Sequence, residues 1–148
     1  MADATPQPTK APWHLWVVGV LSIIWNSVGA FDFVMTEARN KAYMNAFSPE
    51  QRDYYYGFPV WVVAAWGIAV WGGVLGSLLL LLRRRFAAYL FLASLGCMIL
   101  TDLYTFVLSN GMKVAGGAGI LAFSAVIFAI GVFLFAYARR MCSRGVLG

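Results

Sequence analysis

The sequence predicts an all-α integral membrane protein: a bundle of four membrane helices with both termini cytoplasmic and a short interfacial helix in the outer loop. Three observations carry this expectation. Hydrophobic residues make up 61% of the 148 positions and charged residues only 11%, whereas a soluble domain carries about 25% charged residues. Such a chain lacks the polar atoms to cover a water-facing surface. The apolar residues also fall into four blocks, about 13–35, 58–82, 86–108 and 115–138, each near the roughly 20 residues a helix needs to cross the hydrocarbon core. Finally, the cations sit at the ends of these blocks, where they touch lipid headgroups and set topology. A soluble helical fold is the poor alternative, since few of its helices are apolar all round.

The elements follow in order. Residues 1–12 contain three prolines and one lysine, and read as a disordered tail before a membrane domain over 13–141. The first apolar block exceeds a signal-peptide core and lacks a small-x-small cleavage site, so it reads as a retained span. The outer loop contains "FSPEQRDYYYGFP". Ser48 suits an N-cap, Pro49 the first helical position, and Gln51 completes a capping box. Gly57 offers a left-handed end. A two-turn helix over 49–56 is therefore expected, with Tyr54, Tyr55 and Tyr56 at headgroup level, as an interfacial anchor or as a lid over a site between the helices.

Span two carries small residues at Ala65, Ala69, Gly73 and Ser77, and a second pair at Gly72 and Gly76. Such rows let helix backbones approach closely in lipid. The short "RRR" link at 83–85 makes spans two and three antiparallel neighbours, and "SNGMKVAGG" does the same for spans three and four. Span four has small pairs at Ala118 and Ala122, and at Ala125 and Ala129. A short tail, 142–148, follows the domain.

Orientation comes from the cations. Lys10, Arg83, Arg84, Arg85, Arg139, Arg140 and Arg144 fall on one side, and Arg39, Lys41, Arg52 and Lys113 on the other. The richer side faces the cytoplasm. The net charge of +5 thus reflects topology, and no nucleic-acid motif accompanies it.

Polar side chains within the spans need partners, so they carry the functional information. Asp32 in span one and Asp102 in span three fall in the same outer layer, within roughly 10 Å of the boundary at ~1.5 Å per residue. Asn26 lies deeper in span one, with Trp66 of span two at a similar level. Trp25, Gly29, Asp32 and Thr36 share one stripe. Asp32 has two readings: an ion pair with Arg39 or a helix-capping role, or a binding group for a solute or proton. Asp102 has Tyr104 and Thr105 as local partners on the structural reading. Asn26 is an interhelical hydrogen bonder or a solute ligand. Trp66 is a packing residue or a stacking surface for a sugar or other flat solute. The candidate substrate-binding set is therefore Asn26, Asp32, Trp66 and Asp102.

Other chemistry finds little support. His14 is the single histidine, a poor basis for haem ligation. Cys97 and Cys142 lie at different depths, which argues against a disulfide. No nucleophile-elbow, zinc-protease or phosphate-loop pattern occurs. No enzyme activity, cofactor or metal is expected.

The stretches "WNSVGAFDFVMTEARN", "FSPEQRDYYYGFPVWVVAAW" and "VWGGVLGSLLLLLRRR" resemble a group of small four-span proteins of the proteobacterial inner membrane, some labelled sugar transporters. The resemblance covers about residues 13–108. Matching positions include Trp25, Asn26, Gly29, Asp32, Arg39, Asn40, Pro49, Glu50, Pro59 and Trp66. It implies a multi-pass inner-membrane protein and allows transport of a small solute through an outward-facing vestibule. The alternative is a non-transporting structural or accessory subunit of a larger membrane complex. The expected partners are the bilayer, further copies or a larger complex, and a small solute.

Overall fold

The computed structural model describes residues 9–148, and every regular element among them is helical. The first eight residues of the expected N-terminal tail lie outside the described residues. In chain order the helices are α1 (Trp13–Glu37), α2 (Lys41–Met44), α3 (Pro49–Tyr56), α4 (Val60–Leu81), α5 (Phe86–Leu103), α6 (Gly111–Val114) and α7 (Ala118–Ser143). A π-helical turn, Tyr104–Leu108, prolongs α5. Four of them, α1, α4, extended α5 and α7, are long and apolar enough to cross a membrane.

The exterior is apolar, and the apolar core also admits serines and glycines. Large apolar side chains face outward on all four long helices, among them Leu21, Val28, Ile68, Ile99, Leu121 and Phe133. The buried positions include Ser22, Ser77, Ser94, Gly72, Gly73 and Gly76. Water would penalise that exterior heavily, whereas hydrocarbon tolerates it and leaves close packing and polar contacts to hold the helices together.

Helix α4 is central. It lies between α1 and α5, and α7 packs on the other side of α5. Of the most apolar window of each helix, 39% is buried in α4 but only 6% in α7, which marks α7 as the peripheral member. Gly73 permits the α1–α4 approach, since a Cβ there would collide with the Asn26 side chain. Gly76 does the same for α5, where the Phe91 ring occupies the space. Ser94 Oγ donates to Ala69 O at 2.5 Å and pins α5 to α4.

The row of helices closes at one end only. There Leu15 of α1 joins Leu80, Ala87, Phe91, Leu134 and Met141 in one core, with Val146 and Leu147 packed against them. His14 Nδ1 and the Tyr137 hydroxyl share a hydrogen bond at 2.5 Å, linking α1 to α7.

Element boundaries differ from the sequence expectation in two places. Helix α7 starts at Ala118, because Gly116 and Gly117 take positive φ (116° and 60°) and hold the chain in a turn. It then runs through Arg139 and Arg140 to Ser143. Arginine favours helix and does not stop one, so loss of hydrophobicity ends the apolar block without ending the helix. Gly57, expected in the left-handed region, has φ −88°. Among the described residues the non-glycine positions with positive φ are Arg39 (φ 50°) and Arg83 (φ 57°). That conformation costs roughly 1–2 kcal/mol for a residue with a Cβ, and side-chain contacts offset it at both sites. The Arg39 guanidinium sits 4.5 Å above the Tyr56 ring. Arg83 donates from Nε to Val146 O at 3.1 Å and from Nη2 to Thr9 O at 2.7 Å.

Candidate functional site

The end opposite the arginines gathers α2, α3, α6 and the finishing turns of α1 and α5. Its construction starts at Asn40, whose side-chain oxygen accepts from the Tyr43 N–H at 3.1 Å and caps α2. The cap turns α2 back onto α1. The Tyr43 hydroxyl then donates to Asp32 Oδ1 at 2.5 Å, and its ring packs edge-on against Phe31. Burial, followed by the Asp32 hydrogen bond and charge, pushes the Tyr43 hydroxyl up to about 12. Burial also raises Tyr55, reinforced by the charges of Asp32 and Tyr54.

Helix α3 forms as the sequence predicts, with both halves of its capping box made. Ser48 Oγ accepts from the Gln51 N–H at 3.2 Å, and Gln51 Oε1 accepts from the Ser48 N–H at 3.1 Å. At its far end the Tyr54 hydroxyl and Ser109 Oγ share a hydrogen bond at 2.7 Å, tying α3 to the end of extended α5. Phe47, Tyr55 and Phe58 link the rings beside Asp32 to Trp66 and Tyr104, through centroid separations of 5.2–6.2 Å. These contacts, edge-to-face apart from the tilted Tyr43–Phe47 pair and each worth about 0.5–1.5 kcal/mol beyond burial, make a continuous aromatic roof.

Each candidate residue has a defined place beneath or beside this roof. Asp32 bonds Tyr43, whereas Arg39, its expected ion-pair partner, is turned over Tyr56. Asn26 Nδ2 donates to Ser22 O at 2.8 Å and to Ser77 Oγ at 3.2 Å, so the amide joins α1 to α4. Ser77 in turn donates to Gly73 O at 2.8 Å. Trp66 stacks edge-on with Phe33 at 5.0 Å and with Phe58 at 6.2 Å. Asp102 lies beside Ser124 of α7. Its expected neighbours are otherwise engaged: Thr105 donates to Thr101 O at 2.9 Å, and Tyr104 packs on Phe58 and Trp61. Asp32 and Asp102 thus have separate partners at the same end of the molecule.

Two surface grooves are lined by other residues. A shallow one of about 230 Å³ opens between Phe31 and Trp71 on the α1–α4 seam. A larger one of about 590 Å³ lies between α5 and α7 at the arginine end.

No family model, curated protein or solved structure matches the chain. Hydrogen-bonded carboxylate, phenols and ring faces suit the recognition of polar, uncharged solutes or the docking of protein. Among the described residues no three His, Cys, Asp or Glu side chains come together to hold a metal ion, and both cysteines are free. Sequence reasoning missed Tyr43, the residue that satisfies Asp32. Its signal was local and indirect: Asn40 is a good N-cap, and a capped turn there brings the third residue after it back over α1.

Proposed function

We propose that the chain is a multi-pass protein of the bacterial inner membrane, with both termini in the cytoplasm, and serves as a non-catalytic accessory subunit that packs α7 against another membrane protein. One contrast carries this reading. The small residues Ala65, Ala69, Gly72, Gly73, Gly76 and Ser77 of α4 are all buried against α1 or α5. Those of α7, Ala118, Ala122, Ala125 and Ala129, recur at i, i+4, i+7 and i+11, and all are exposed. The same packing chemistry is thus satisfied inside the chain on α4 and open on α7. The candidate polar residues support it too, since Asn26 and Trp66 are engaged in holding helices together. The resemblance of residues 13–108 to four-span inner-membrane proteins supports the location, and the unequal cations support the orientation.

A photo-cross-linker at Ala125 tests this in native membranes. One adduct of a single heterologous partner is expected. An adduct with a second copy would replace the accessory reading with a homo-oligomer, and no adduct would remove it.

A second reading is transport of a small solute such as a sugar through an outward-facing vestibule. It is favoured by Asp32 and Asp102 lying at the same end of the parallel helices α1 and α5, near aromatic faces able to stack a sugar ring. Asn26 and Trp66 would contact solute only by releasing Ser77 and Phe33. In proteoliposomes this reading expects uptake that Asp32→Asn abolishes. Uptake untouched by both Asp32→Asn and Asn26→Leu would rule out this site.

A further inference from the structure

We propose that the 590 Å³ groove between α5 and α7 is a binding site for one anionic phospholipid. The charge at this end is one-sided. Seven cations occupy it, at Lys10, Arg83–Arg85, Arg139, Arg140 and Arg144, while every described Asp and Glu belongs to the opposite half of the molecule; at this end a Gly148 oxygen accepts from the Arg85 backbone N–H at 3.0 Å. Arg83 is committed to the backbone oxygens of Thr9 and Val146. Arg85 and Arg139 are exposed and line the groove from its two sides.

The lining is graded along the helices in the way an amphiphile is graded. Arg85 and Ser143 stand at the rim, Tyr89 and Arg139 about one turn further in, and Leu92 and Phe135 about one turn beyond those. From Arg85 to Leu92 the helix rises roughly 10 Å, enough to pass from a phosphate to the first methylenes of an acyl chain. The Arg139 guanidinium lies 5.8 Å from the centre of the Phe135 ring, so cation and apolar wall are adjoining. Two guanidiniums presented across a gap suit the oxygens of a phosphodiester. A soluble phosphate would use the rim and leave the apolar floor unfilled, whereas a lipid fills both. Basic pockets between membrane helices are a recurrent setting for such headgroups. The inference rests on the membrane character of the chain and is independent of what α7 meets along its other half.

The test is native mass spectrometry of the full-length protein in mild detergent, titrated with phosphatidylglycerol or with phosphatidylcholine of the same chains. One tightly retained phosphatidylglycerol is expected, at least tenfold preferred over phosphatidylcholine. Arg85→Gln with Arg139→Gln should abolish the preference, at about fivefold per arginine. Arg84→Gln with Arg140→Gln removes the same charge outside the groove and should leave the preference intact. Equal loss in both double variants would reduce the effect to general surface charge and overturn the site, as would equal retention of the two lipids. Displacement by millimolar glycerol 3-phosphate would also overturn it, by showing that the groove takes a soluble anion.

Discussion

At the residue scale, the most informative pair is Asp32 and Tyr43. A phenol that donates to a carboxylate in a half-buried setting resists ionisation, and its folded-state pKa of about 12 lies above the usual 10. The stabilisation is therefore fully present below pH 10 and is lost as pH rises from 10 through 12. Absorbance near 295 nm should show the Tyr43 step late, alongside the raised Tyr55. Asp32→Asn should bring it back toward 10, and Tyr43→Phe should delete that step. An unchanged late step in both variants would assign it to another tyrosine. A second prediction concerns Gly73. A methyl there meets the Asn26 amide, so Gly73→Ala should destabilise the protein by about 2–3 kcal/mol through overpacking and a strained interhelical hydrogen bond. Gly96 has open space around its Cα, and Gly96→Ala should be neutral or stabilising within about 1 kcal/mol. Thermal unfolding in detergent separates the two. That a polar amide and a small residue would matter was legible from Asn26 and the α4 rows. That they meet each other was not, because a helix-to-helix register across fifty residues leaves no trace in either local pattern.

At the scale of elements, the capping rules performed well and the terminating rules less so. Ser48, Pro49 and Gln51 specify α3, and the structure makes both predicted bonds. Ser48→Ala should cost about 1 kcal/mol of local stability. Amide exchange over residues 49–56 should accelerate about fivefold in that variant, with α4 unaffected. Matching acceleration in α4 would mean that α3 does not open independently. Gly57 shows the weaker side of such rules. A glycine permits the left-handed region without requiring it, and at Arg39 and Arg83 distant contacts impose that conformation on a residue that local sequence would never nominate. The small-residue rows were likewise legible as packing surfaces. Which row meets a partner inside the chain depends on the order α1–α4–α5–α7, and spacing alone does not contain that order.

At the scale of the whole molecule, composition and block length were enough to read four helices long and apolar enough to cross a membrane, because the solvent acts on every residue at once. Where α4 meets α1 and α5 most closely, the inward side chains had to be small or bonded, and Ser22, Ser77, Ser94 and the α4 glycines are. The candidate site was less legible, since Asn26, Asp32, Trp66 and Asp102 were chosen for depth, and depth does not say which neighbour each will find. The proposed topology has its own measurement. A single cysteine at position 50, in a background with Cys97 and Cys142 replaced by serine, should react with an impermeant maleimide from the periplasmic face of intact spheroplasts. A cysteine at position 84 should react only after permeabilisation, and the reverse pattern would invert the assignment.

The Arg83 guanidinium holds the segment ahead of α1 and the segment behind α7 against one turn, so all four long helices are clasped at a single pole. At the far pole α2 and α3 bind α1 to α5, while α7 meets α5 beside Asp102 and Ser124 and continues from its short connector. Mechanically the molecule is a frame of three closely packed legs with a fourth, α7, packed on one side of it. A force applied near the start of α7 would therefore meet less internal packing than the same force on α4, since 6% of the most apolar window of α7 is buried against 39% in α4.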